Sequence, residues 1–167
     1  MWRKIEALME GHPERLRVVR TLLENGLGLR DNGIYLNDIE VPVVRIAKSA
    51  RVDRRTVDET IGMVESSREL KSLFANLRSA GPSLKGVAKE LGLGVVEIVV
   101  EDPHKSGILA GASQLFSEFG VSIRQALVDD PELAPEPKLV LIGDRLVPGE
   151  IVPRLLKIQG VTRVSVY

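Results

Sequence analysis

The stretch Val95–Ile123, VVEIVVEDPHKSGILAGASQLFSEFGVSI, changes its hydrophobic period twice. Val95 to Val100 is a run rich in β-branched residues, bounded by Gly94 and by Asp102-Pro103, which predicts a buried strand. Polar residues from Glu101 to Ser106 then form a turn. From Gly107 onward Ile108, Ala112, Leu115, Phe116 and Phe119 recur at three- and four-residue spacing, one face of a helix. Gly120 suits the left-handed residue that ends it. Val121 and Ile123 alternate with Ser122 and Arg124, so a second strand follows, and Ala126 to Val128 finish it. Farther on, Leu139–Ile142 predicts a third strand. Pro148 opens a helix with Ile151, Leu155 and Ile158 inward, Gly160 ends it, and Val161–Tyr167 predicts a fourth strand. The order β-α-β-β-α-β is that of the ferredoxin-like split βαβ fold.

Three groups within this stretch carry a resemblance: Asp102-Pro103, Gly107-Ile108-Leu109, and Phe116 with Gly120-Val121-Ser122-Ile123. Together they resemble the ACT domain, a family marked by D-x-P-G-x-L opening a helix that ends near F-x-x-x-G-[IV]-x-[IV]. His104, Lys105 and Ser106 separate the Pro from the Gly here, so the turn is longer than in that pattern. The resemblance spans residues 95–167. It implies an ACT-like domain, an amino acid as ligand, and an assembly in which sheets or helices of two copies abut.

Composition bounds the rest. The chain has 167 residues, 44% hydrophobic and 28% charged, enough for one ordinary domain or two small ones. Its net charge is zero, but unevenly spread. Residues 1–92 carry 16 Lys and Arg against 13 Asp and Glu, a net +3, while residues 93–167 carry 7 against 10, a net −3. Any nucleic-acid partner is therefore expected at the N-terminal half. The chain has no Cys, which removes disulfides and thiolate metal sites, and only His12 and His104 for a histidine-rich one. No apolar run approaches the length of a membrane span and no secretory leader is visible, so a cytoplasmic protein without membrane partners is expected. Neither metal nor cofactor is expected.

In the N-terminal half, Trp2, Ile5, Leu8 and Met9 form an amphipathic segment, and Leu16, Val19 and Leu23 continue a core stripe after Pro13 to a stop at Asn25-Gly26. His12 has no partner nearby and suits a capping or surface position. The Asp31-Asn32-Gly33 turn between Leu29 and Ile34-Tyr35-Leu36 signals a hairpin. Gly26-x-Gly28 is no dinucleotide fingerprint, because no strand precedes it and no helix follows.

Pro42 to Ser66 reads as a helix-turn-helix. Val43, Ile46 and Ala47 face inward on the first helix, Ala50-Arg51-Val52 make the turn, and Asp53 caps a second helix carrying Val57, Ile61 and Val64. Arg51 stands where such turns usually place Gly. On the functional side, Arg51, Arg54, Arg55 and Thr56 reach phosphates and base edges of DNA. On the structural side, Arg54–Asp58 and Arg55–Glu59 form intrahelical pairs worth about 0.2–0.5 kcal/mol each. Both stay open. Leu70, Leu73, Phe74 and Leu77 predict a continuing helix over 67–81. Ser83 is expected to cap a short linker helix, Leu84 to Leu91, whose Gly92 turn imitates a second helix-turn-helix.

These elements predict an α+β protein. A helical helix-turn-helix domain with a small hairpin occupies 1–80, a linker helix 81–94, and an ACT-like domain 95–167. The candidate ligand site is the turn into the helix. Backbone N–H groups and the positive end of the helix dipole collect there. Gly107 admits a carboxylate, Ser106 and Lys105 add donors, and Glu101 and Asp102 answer an amino group, with His104, Ile108 and Leu109 beside them. The alternative is that Ser106 merely caps the helix and Asp102-Pro103 is a turn. The acidic, Pro-rich loop Asp129–Pro137 lacks the ligand spacing of a Ca²⁺ loop and suits a solvated connection.

No nucleophile with a poised base and no P-loop emerges, so no enzyme is expected. Two functions remain. One is a ligand-responsive regulator, transcriptional in mode, working as a homodimer or higher even oligomer; as a whole the chain is similar to an archaeal family of predicted amino-acid-metabolism regulators. The other is a regulatory subunit that binds no DNA and contacts an enzyme through its helical half.

Overall fold

The computed structural model describes residues 2–167, apart from the side chain of Arg3. They divide into two units, one up to Gly81 and the other Pro82–Tyr167. The first contains α1 (Trp2–Leu8), α2 (Pro13–Glu24), α3 (Val43–Ala50), α4 (Arg54–Ser66) and α5 (Arg68–Asn76). A three-stranded antiparallel sheet of β1 (Leu27–Arg30), β2 (Gly33–Leu36) and β3 (Ile39–Glu40) is inserted between α2 and α3. Val18, Val19, Leu22, Ile46, Val57, Ile61, Val64 and Phe74 are buried. In that core α2 packs on α3 and α4, while α5 packs on α4 and β1.

Three local features explain this unit. Asp31 and Asn32 both have positive φ, 49° and 60°, so β1 and β2 are joined by a two-residue turn matched to strand twist. At Gly28 the end of α5 passes directly over β1: a Cβ there would lie 2.8 Å from Leu77 O and 3.0 Å from Phe74 O. That glycine is set by packing. The chain leaves α3 through Arg51 at φ 54°, with Val52 N–H donating to Ala47 O and Arg51 N–H to Lys48 O. Those two bonds form a Schellman stop, with a left-handed arginine in the place of glycine.

The sequence expectations need correction at two helix starts. Asp53 precedes α4 without a side-chain capping bond. The expected continuous helix over 67–81 instead begins afresh, because Ser67 is extended and its hydroxyl accepts from Leu70 N–H at 3.4 Å.

The second unit consists of β4 (Gly94–Val100), α6 (Ile108–Glu118), β5 (Ile123–Val128), β6 (Lys138–Gly143), α7 (Ile151–Leu155) and β7 (Val161–Val166). Its strands form one antiparallel sheet in the order β5-β6-β4-β7. That order, with two crossover helices, is the ferredoxin-like βαββαβ fold anticipated for an ACT-like domain. Val96, Ile98, Leu139 and Leu141 face α6 and α7, joined by Ala112, Phe116, Ile151 and Leu155. The opposite face buries Val95, Val140 and Ile142 beneath Ala88 and Leu93.

That second cover is where the expected linker helix fails. Leu84–Leu91 forms only a 3-10 turn at Lys85–Val87 followed by further turns. Ala88 is buried, whereas Val87 and Leu91 are about half exposed, so no helical stripe is used. The segment lies as a strap on the sheet, held by an ion pair: Lys85 Nζ donates to Glu97 Oε1. Tyr167 Oη donates to Glu97 Oε2 at 3.3 Å.

Glu97 is buried at 6% exposure, yet the Lys85 bond holds its carboxyl below the ordinary 4.5, against the opposing effect of burial. The same bond holds the Lys85 amine above 10.5. A depressed carboxyl contributes stability that is full above its unfolded pKa and lost as pH falls through the folded one. A raised amine contributes below its unfolded pKa and loses that contribution as pH rises through the folded one. The pair should therefore act between about pH 4.5 and 10.5. Glu97→Gln is expected to cost about 1 kcal/mol at neutral pH, the half-exposed Lys85 screening the pair. Urea melts down to pH 3 should show wild type losing more stability than the variant on the acid side; parallel curves would remove the pair from the balance.

Candidate functional site

On the helical unit the expected DNA-contacting residues separate. Arg54 Nε lies 3.5 Å from Asp58 Oδ2, and Arg55 Nε donates to Glu59 Oε1 at 2.9 Å. Arg15 also donates to Glu59 at 3.0 Å. Bonds from Arg55 first and Arg15 second hold the Glu59 carboxyl below its ordinary range. The arginine side chains of these pairs are 70% and 89% exposed, so each pair is weak and a phosphate can compete for the guanidinium. Thr56 turns toward α2, its hydroxyl 3.5 Å from Glu14 Oε2.

Arg51 behaves differently. Its carbonyl and that of Ala50 accept from the Arg17 guanidinium, which pins the turn to α2. Its own exposed side chain has no hydrogen bond or ion pair among the described residues, and neither have Arg45 and Lys48 on α3. The three free cations lie at three-residue spacing. Leu70 is buried and Leu73 and Leu77 are half-buried, so α5 presents no broad apolar face.

On the second unit, a cavity of about 250 Å³ opens beside the start of α6. Val100, Ile108, Leu109, Val128 and Leu139 supply apolar wall, and Lys105, Asp129 and Lys138 bring charge to it. Of the expected ligand residues, Lys105, Gly107, Ile108 and Leu109 line this cavity. Glu101, Asp102, His104 and Ser106 are exposed and lie off its wall. Asp102 is engaged by the turn itself, its Oδ1 accepting from His104 N–H at 2.9 Å. Ser106 makes no capping bond, because the residue that precedes α6 is Gly107.

The helix's first backbone bond runs from Gly111 N–H to Gly107 O, so the amides of the turn before it are not used within the helix. Gly107 has φ 90° and nothing within 4 Å of where a Cβ would stand. The positive φ by itself favours glycine at this position. Val128, Asp129, Pro137, Lys138 and Leu139 were absent from the sequence-based site. They reach it because β6 lies between β4 and β5, and Asp129 Oδ2 accepts Lys138 N–H at 3.1 Å to close the loop between them. Among the described residues no group of three or more His, Cys, Asp or Glu is placed to hold a metal ion, and no helix is long and apolar enough to cross a membrane.

No family model and no curated protein matches the chain. Solved structures do show similarity. The ACT domain of a GTP pyrophosphokinase of Chlorobium tepidum is 22% identical with a TM-score of 0.33, covering 45% of this chain and 84% of its own. The leucine response regulatory protein of Mycobacterium tuberculosis is 18% identical with a TM-score of 0.28, covering 92% and 89%. An AsnC family transcriptional regulator of Agrobacterium tumefaciens is 14% identical with a TM-score of 0.28, covering 92% and 86%.

Gly107→Ala is expected to lower stability by about 1 kcal/mol, the cost of a Cβ in the left-handed region. A urea midpoint unchanged from wild type would mean that the turn relaxes to negative φ.

Proposed function

We propose that the protein is a ligand-responsive regulator, transcriptional in mode, that takes an amino acid in the cavity beside α6 and contacts DNA through α3, α4 and the turn between them. The observation that carries this is the pairing of apolar wall with opposite charges in that cavity. Val100, Val128 and Leu139 suit an aliphatic side chain, Asp129 an ammonium group, and Lys105, Lys138 and the unused amides at the start of α6 a carboxylate. A zwitterion with an apolar side chain answers all three.

The helical unit supports the DNA half of the reading through Arg51. A left-handed arginine costs about 1–2 kcal/mol relative to glycine at the same position. Backbone strain of this kind clusters at functional sites. The free Arg45, Lys48 and Arg51 together offer phosphate contacts that do not require breaking the α4 pairs.

We propose further that two copies associate as a homodimer or a higher even oligomer. β5 and β7 are the edges of the sheet and leave one row of backbone groups each for a partner strand. A sedimentation mass of 18.3 kDa at micromolar concentration would argue against this assembly.

Arg51→Gly is expected to raise stability by about 0.5–1 kcal/mol, after subtracting glycine's greater freedom in the unfolded chain. It should weaken DNA binding and reduce the slope of log affinity against log salt by about 0.9 for the lost phosphate contact. Stabilisation with an unchanged slope would leave Arg51 without a role at DNA. No binding to any duplex at low salt would favour the enzyme-contacting subunit instead.

A further inference from the structure

Gln125 stands at a point that the ligand and DNA readings leave unexplained. β5 begins on the helix-facing side of the sheet, where Ile123 pairs with Gly143 and packs against the α6–α7 core. Strict alternation would put Gln125 on that same side. A bulge between Ile123 and Gln125 shifts the register, and Gln125 pairs with Ile142, whose side chain belongs to the opposite face. The extra residue thus sends one polar side chain through to the strap side. Re-aiming a side chain is what bulges do beside functional sites.

On that side the Gln125 amide meets the chain as it enters the second unit. Its Nε2 donates to Pro82 O at 2.8 Å, and its Oε1 accepts from Leu84 N–H at 2.9 Å. Pro82 has only a carbonyl to offer and Leu84 only an amide, so the orientation of the side-chain amide is fixed by its partners. Both bonds fall on the segment that follows Gly81 directly. Three residues farther along the same strand, at about 10 Å, Val128 returns to the helix-facing side and lines the cavity with Asp129.

The geometry points to Gln125 as a positioning residue that couples occupancy of the cavity to the strap, and through the covalent chain to the helical unit. This rests on the cavity being the ligand site. β5, like β7, is an edge strand bonded on one side only, here to β6, so it is freer than the interior strands to shift when Val128 and Asp129 engage a ligand. Gln125 turns such a shift into a pull on Pro82 and Leu84.

The test uses the intact protein. Gln125→Ala removes both bonds, and the Leu84 amide should exchange about tenfold faster. Each proteinogenic L-amino acid is added singly, and the one giving the largest thermal shift serves as probe. In wild type the probe should change amide exchange over residues 77–81, and with it the affinity for duplex DNA. In Gln125→Ala the probe should bind with unchanged affinity while exchange over 77–81 no longer responds. Gln125→Glu, which keeps the acceptor toward Leu84 and loses the donor toward Pro82, should lie between. A merely structural clamp would lower stability and leave the response intact, so a full response in Gln125→Ala overturns the proposal. If no amino acid binds wild type, the ligand reading falls separately. The coupling is then read from Val128→Phe, which fills the cavity from β5; unchanged exchange over 77–81 in that variant overturns the coupling too.

Discussion

The constraint on which the second unit depends is that β4 is an interior strand needing cover on both faces. Val96 and Ile98 must be buried on one side and Val95 and Glu97 on the other, and each side draws on different parts of the chain. The helices α6 and α7 answer the first need. The second is met by a strap of irregular backbone, and Glu97 shows how. A carboxylate in the middle of an apolar strand is tolerable only with a partner brought to it. Lys85 supplies that partner, Ala88 and Leu93 follow it onto the sheet, and the whole segment from Pro82 to Leu93 is committed to this face. The position of Gln125, and the identity of the residues it reaches, follow from that commitment.

The helical unit solves a different problem, that of turning sharply between two helices without glycine. Arg51 takes the left-handed conformation, and the cost is offset by two backbone bonds within the turn and by the Arg17 guanidinium on its carbonyl. Such a turn holds α3 and α4 rigidly against α2 while leaving the Arg51 side chain outside. The acids of α4 occupy Arg54 and Arg55 in weak exposed pairs. The uncommitted positive charge of this region therefore runs along α3 to its turn, through Arg45, Lys48 and Arg51, and is not at the start of α4.

Much of the fold was legible because its signals are local. The β-branched run at Val95–Val100, the three- and four-residue spacing after Ile108, and the Asp31-Asn32 turn each carry their own period or turn chemistry. What misled was also local: Val87, Ala88 and Leu91 imitate a helical stripe, but Gly86 and Gly92 weaken a helix there and the sheet beneath needs only Ala88 and Leu93. Ser67 looked like helix interior and is a fresh start. The site was half legible. Gly107 to Leu109 sit beside a helix start that any reader of the sequence can find. Val128, Asp129 and Leu139 arrive by way of strand order, which no single segment encodes. The bulge before Gln125 leaves no mark in composition at all, since it is a mismatch between two strands and not a property of one.

The strand order carries a consequence for how this unit is made. β4 pairs with β7 along one edge, and some sixty residues of chain separate them. During synthesis the most apolar strand of the molecule is therefore produced long before one of its two neighbours exists. Until Val161–Val166 emerges, the row of amides and carbonyls from Val96 to Val100 stays open, flanked by aliphatic side chains, a surface that invites pairing with another nascent chain. Cover for the two faces arrives sooner, since Lys85 precedes Glu97 by only twelve residues and α6 follows β4 directly. The backbone edge of β4, and not either of its faces, is thus the part of the sheet that waits for the last strand.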